Sequence, residues 1–179
     1  MGDIHDPLPV LLLVAASSRY EEALVWSRRE CESEYGPAAA VSEAFDFTET
    51  NYYDAEMGVE LRKQFWVFEQ LVDPGKLPAV KRQTNFLEAE YAGLQQHPEP
   101  RPLNLDPGYL TLAKLVLAST KDHAHRIYLG EGIYAEVTLS YRKRGWQPFE
   151  WTYPDYRRDD FQAFFTRCRE FLPRVRRQN

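Results

Sequence analysis

The sequence predicts an α+β domain with a ferredoxin-like β-α-β-β-α-β core, extended by a helix, a β-hairpin and a C-terminal helix. Three observations predict it. Residues 10–17 are a continuous apolar run of strand length, and 63–72 carry apolar residues on both faces, as internal strands do. Three other stretches repeat apolar residues at helical spacing. Gly- and Pro-containing turns separate these segments.

Each element follows in order. After the strand at 10–17, Ser18 and Glu21 match a capping box, and Tyr20, Leu24, Ser27, Cys31 and Tyr35 trace a helix that Gly36-Pro37 stops. Residues 41–47 read as a second strand, 48–58 as a polar loop and 63–72 as a third strand. Asp73-Pro74-Gly75 opens a helix whose face carries Leu77, Val80, Thr84, Leu87, Tyr91 and Leu94. A loop at 95–102 and a short strand at 103–106 follow. The pattern D-P-G-x-L-x-x-x-K occurs twice, ending at Lys81 and Lys114. Both copies read as strand-to-helix turns, so 109–119 is predicted to be a short buried helix. Residues 123–130 and 133–142 read as strands paired around Gly130-Glu131-Gly132, with a second turn at Gly145. An extended crossing leads to a last helix with Phe161, Phe164, Phe165, Cys168, Phe171 and Leu172 on one stripe. Right-handed crossovers would stack two helices on one sheet face.

The 179 residues suit a single domain, placed at 8–173, with residues 1–7 and 174–179 expected to be flexible. Residues 1–60 hold 13 acids and 3 bases, whereas the remainder is basic, ending in Arg167, Arg169, Arg174, Arg176 and Arg177. A pI near 5.5 argues against nucleic acid as the main partner. Asp3 and Asp6 precede the first apolar run where a secretory signal would carry bases, and no stretch approaches the length of a membrane span. Two distant cysteines on apolar stripes, Cys31 and Cys168, are expected to be reduced, in a cytoplasmic protein. Composition does not indicate an oligomeric state.

The stretch 119–130, "STKDHAHRIYLG", concentrates ionisable groups at the entrance to a strand. With Lys114, it brings Thr120, Lys121, His125 and Arg126 together as donors for a small anion. Tyr128, Tyr134 and Tyr153 would shape the pocket. On the strand at 133–141, Tyr134, Glu136, Thr138 and Ser140 share one face by alternation. Glu136 and His125 are the candidate acid–base groups. Asp106, Asp122, His125 and Glu136 form an alternative set for a metal-assisted hydrolase, with His123 and His125 presented as His-x-His on a strand. Thr48, Tyr52, Tyr53, Glu56, Asp155 and Tyr156 lie in loops able to complete a pocket, or to serve as the partner surface of a non-enzymatic interaction module.

Residues 104–141, with 45–58 and "WTYPDYR" at 151–157, resemble the Domain of Unknown Function 4416 family over nearly the whole chain. The resemblance implies a prokaryotic, soluble, single-domain protein of unestablished activity, from a family whose members are often labelled GTP-binding. GTP or another nucleotide enters as a ligand through that label alone. A P-loop needs G-x-x-x-x-G-K-[ST], but Gly75-Lys76 is followed by Leu77. A nucleotide would therefore bind without one.

Overall fold

The structure, a computed structural model, describes residues 2–176. Its elements are β1 (Val10–Ser18), α1 (Glu21–Tyr35), β2 (Ala38–Val41), β3 (Phe45–Asp46), α2 (Asp54–Met57), β4 (Arg62–Val72), α3 (Leu77–Gly93), β5 (Asn104–Leu110), β6 (Lys114–Ser119), β7 (Ile127–Gly130), β8 (Ile133–Arg142), β9 (Gly145–Pro148) and α4 (Asp159–Arg176). All nine strands join one sheet in the order β2-β4-β1-β5-β6-β8-β7, with β3 on β4 and β9 on β8. Every described pairing is antiparallel.

β1 lies inside this sheet, between β4 and β5, and all nine of its residues are buried. Its continuous apolar run is explained by helices on both faces. Leu12, Val14 and Ala16 join α1 and α3 residues in one core, with Leu24, Cys31, Leu87 and Tyr91. Leu11, Leu13 and Ala15 join the α4 stripe of Phe161, Phe164, Phe165, Cys168 and Leu172 in another. Phe65 of β4 is the centre of the second core, with ring centroids 4.7, 6.0 and 5.0 Å from Phe161, Phe164 and Phe165.

Several boundaries differ from expectation. Residues 109–119 are not a helix: they contain the end of β5 and all of β6, so the first helix of the predicted extension is absent, while its C-terminal helix is α4. The second Asp-Pro-Gly lies within β5. A Cβ at Gly108 would stand 2.2 Å from the Val116 carbonyl oxygen, so the close approach of β6 requires glycine there. Pro107 lies one residue beyond the last β5–β6 pair, Gly108↔Leu117, where its missing N–H costs no bond to β6. The first Asp-Pro-Gly behaves as expected: Asp73 Oδ1 accepts from Gly75 N at 2.8 Å ahead of α3.

The strand expected at 41–47 divides into β2 and β3. The capping box does not form, because Ser18 ends β1 and donates to the Pro102 carbonyl at 2.7 Å. β7 begins at Ile127, which leaves His123 and His125 in a turn rather than on a strand. α4 continues past 173 to Arg176. The expectation for residues 177–179, including Arg177, lies outside the described residues.

Two irregularities shape one end of the sheet. Thr138 is an extra residue in β8, since Leu115 pairs with Leu139 and Val116 with Val137. This bulge reverses the alternation, so the single face expected for Tyr134, Glu136, Thr138 and Ser140 is broken. Glu136, opposite Leu117, shares the α4 face with Leu139, while Val137 packs with Leu77 and Val116 on the α3 side. The second irregularity is the early end of β5–β6 pairing. Where it stops, Lys81 of α3 donates to the Leu105 carbonyl at 2.8 Å and to Asp106 at 3.1 Å.

Candidate functional site

Beyond the N-terminus of α4, the α4 face of the sheet turns from apolar to polar. Leu13 and Ala15 give way to Ser17 on β1, and Phe65 gives way to Lys63 on β4. Asn104 and Asp106 occupy β5, Ser119 ends β6, and Tyr134 and Glu136 lie on β8. Two segments cover this end: the loop carrying Tyr52 and Tyr53, and Tyr153 to Tyr156 ahead of α4. Asp106 sits on an internal strand, yet its side chain keeps 32% exposure. The sheet is therefore partly open to solvent at this point.

On the β8 side, Glu136 is the hub. Its Oε2 accepts from Arg126 Nε at 2.9 Å and lies 3.0 Å from His125 Nε2. Thr138 Oγ1 approaches Oε1 at 3.3 Å. The Arg126 and Glu136 side chains are only 3% and 2% exposed. Such a pair is strongly destabilised when one partner is removed, because the other is left as an uncompensated buried charge. Arg126 Nη1 also donates to Ser119 Oγ at 2.7 Å and to the Lys121 carbonyl at 2.9 Å, and Nη2 donates to Tyr153 OH at 2.6 Å. Lys121 Nζ donates to Tyr52 OH at 2.7 Å. The His125 ring stacks on His123 at 5.9 Å and on Trp151 at 5.3 Å, and Trp151 in turn stacks on Phe149 at 4.8 Å.

On the β1–β5 side, the Lys63 ammonium meets Asp155 Oδ2 at 2.5 Å and lies 3.9 Å from the Phe47 ring centroid. Asp106 accepts from Lys81, and from Asn104 Nδ2 at 2.8 Å. Asn104 in turn accepts from Arg101, which pairs with Glu88 at 3.1 Å. Burial pushes the Asp106 carboxyl up, but the charges of Lys81 and Lys63 and these hydrogen bonds outweigh it and hold it below its ordinary value. Burial, then the Glu136 charge, pushes the Tyr153 phenol up to about 12. Burial also raises Tyr53 and Tyr156, and both feel Asp106 and Asp155. The Tyr153 ring, bonded through its OH to Arg126, lies 6.2 Å from that of Tyr156, which lies 5.3 Å from Lys63 Nζ, so the two halves meet.

The structure thus brings Lys121, His125, Arg126, Glu136, Tyr153 and Asp106 to one end of the sheet. Thr120 is an exposed neighbour of Lys121. Tyr134 faces the exposed Tyr128 ring at 5.2 Å. Lys114 begins β6, about 16 Å along the strand from Ser119, and does not join the cluster. Asp122 is exposed in the turn before β7. Among the described residues, no three His, Cys, Asp or Glu side chains are grouped to hold a metal ion. An open cleft of about 440 Å³ is lined by Thr48, Glu49, Asn51, Asp54 and Glu60 with their neighbours, and its lining includes none of the candidate cations.

Ser17, Lys63, Lys81, Glu88, Arg101 and Asn104 were not singled out as site residues from the sequence. The signal was present. Lys63 shares a strand face with Phe65 and Val67, and Lys81 and Glu88 fall on the helical stripe of Leu77, Thr84 and Tyr91. A charge in a core position needs a partner, and that requirement marks a polar site.

Sheet and polar cluster together define an α+β protein whose polar groups gather where an antiparallel sheet loses its helical cover. The chain belongs to the family described as Domain of unknown function (DUF4416), whose model matches residues 8–171. No curated protein and no solved structure matches it. No helix among the described residues is long and apolar enough to cross a membrane.

Proposed function

We propose that this polar end of the sheet binds a small anionic ligand, without a P-loop, through Lys121 and the outer nitrogen of Arg126. One observation carries this reading. Lys121 Nζ and Arg126 Nη2 each donate to a neutral phenol oxygen, of Tyr52 and Tyr153, rather than to a carboxylate. Phenol oxygens stand where the oxygens of a phosphate or carboxylate would fit, and an anion is the stronger acceptor for both donors. Glu136 fixes Arg126 from behind, and Ser119 orients its fork. His125 is held between stacked rings and serves to position Glu136. A nucleotide belongs to this ligand class, and the stacked rings of His123, His125 and Trp151 offer an aromatic face beside the cations.

The test is a thermal-shift and calorimetric titration with inorganic phosphate and nucleotides. A ligand at about 100 times its dissociation constant adds about 2.7 kcal/mol, a shift that Lys121→Ala should abolish without loss of cooperative unfolding. Equal affinity in Lys121→Ala would overturn the assignment. Arg126→Lys keeps the charge but loses the fork, so it should weaken binding while sparing most of the fold.

Two finer readings accompany this proposal. The order β2-β4-β1-β5, with α1 and α3 against one face, supports a ferredoxin-like core, which an experimental structure with those helices on opposite faces would reject. A cytoplasmic location is supported by Cys31 and Cys168, both free and buried in cores on opposite faces of the sheet. Oxidised cysteines in protein isolated from its native cells would count against it.

A further inference from the structure

The buried polar region on the β1–β4 side contains two hydroxyls with no hydrogen-bond partner among the described residues. Ser17 of β1 stands opposite Lys63 on β4 and Asn104 on β5, and directly opposed side chains on one sheet face are close neighbours. Tyr156 has its ring 5.3 Å from Lys63 Nζ. Ser17 Oγ and Tyr156 OH have no hydrogen-bond partner among the described residues, and each residue is 2% exposed. Buried hydroxyls without partners are costly to keep, so two around one lysine call for an occupant. The charged groups around them are already matched, Lys63 with Asp155 and Lys81 with Asp106. A further charge would be left unbalanced there, so the occupant of this floor is polar and uncharged. The unmatched groups are themselves hydroxyls, each able to donate and accept. They lie among donors on Lys63 and Asn104 and acceptors on Asp155 and Asp106, a mixture that suits neighbouring hydroxyl groups.

Asp106, with 32% of its side chain exposed, is the partly open point between this region and the cations. Gly108, Leu117 and Glu136 lie opposite one another across β5, β6 and β8, two strand spacings or about 10 Å, and Tyr153 joins the two halves, its OH accepting from Arg126 and its ring 6.2 Å from that of Tyr156. We infer that the floor around Ser17, Lys63 and Tyr156 receives the hydroxylated part of the ligand whose anionic group sits at Lys121 and Arg126, so that the ligand is a sugar or polyol bearing a phosphate or carboxylate. This assignment rests on the anion-binding reading above.

Titration calorimetry of the full chain with inorganic phosphate, ribose 5-phosphate, acetate and gluconate tests it and separates the phosphate from the carboxylate source. One hydroxylated anion should bind at least about tenfold more tightly than its bare counterpart, as expected for a few added hydrogen bonds. Ser17→Ala and Tyr156→Phe should erase that advantage, leave the affinity for the bare anion unchanged, and not lower the melting temperature, since each removes an unsatisfied group. If phosphate binds through Lys121 but neither polyol anion binds more tightly, the floor assignment fails and the anion site stands. An advantage that survives both substitutions also overturns the assignment, the hydroxyls then holding ordered water only. Absence of all binding rejects both readings.

Discussion

Asp106 combines two properties that seldom coincide, a place on an internal strand and a partly exposed carboxylate. Its neighbours Lys81 and Lys63 hold it below the ordinary carboxylate range against the effect of burial. A carboxyl depressed in the folded state contributes stability that is complete above its unfolded pKa and is lost as pH falls through the folded one. Below about pH 4, the ordinary aspartate value, wild-type stability should therefore decline partly through this residue. Asp106→Asn should be less stable at neutral pH and show a shallower acid decline, measured by urea unfolding across that range. Parallel curves for the two proteins would refute the linkage. His125 and Arg126 were legible in the sequence because they stand in a polar stretch ahead of a strand, and Glu136 because a carboxylate interrupts a strand paired with that stretch. Ser17 and Asn104 were not, because a small polar residue in an apolar strand says nothing of whether its oxygen finds a partner.

The hairpin of β5 and β6 marks where reading elements from sequence failed, and the cause is geometric. A strand covered on both faces loses its period-2 signature, and Asp-Pro-Gly opens a helix in one place and runs through a strand in the other. The difference is set by tertiary contact: Gly108 has no room for a side chain beside the Val116 carbonyl. Gly108→Ala should consequently destabilise the protein by about 1–3 kcal/mol, visible in chemical denaturation, and Gly93→Ala supplies the control, since nothing lies within 4 Å of a Cβ there. Equal effects at the two glycines would show that β6 yields easily. The other long elements, β1, α1, β4, α3, β8 and α4, were legible because their apolar spacing is set by the same cores that bury them. The bulge at Thr138 was not, since an extra residue in a ladder leaves no mark on composition.

At the scale of the whole molecule, one sheet separates two cores, and each encloses a thiol. Burial pushes Cys31 and Cys168 up to about 12, far from the thiolate form that reacts. Neither should be modified by an aromatic disulfide reagent at pH 8 in native buffer, and both should react at once in strong urea. Rapid labelling of the native protein would mean that one of the cores opens readily. The class of fold was legible at this scale, but the size of the sheet was not, because strand order depends on pairings between segments distant in the chain.

The central position of β1 has a consequence for biosynthesis. The strand is synthesised before the segments it pairs with, and Leu11 finds its strand partners in Leu71 and Leu110. Until that later sequence has emerged, nine consecutive residues with strong aggregation tendency remain without their final surroundings. The interval from residue 10 to residue 110 is therefore the stretch of synthesis in which shielding of β1 would matter most.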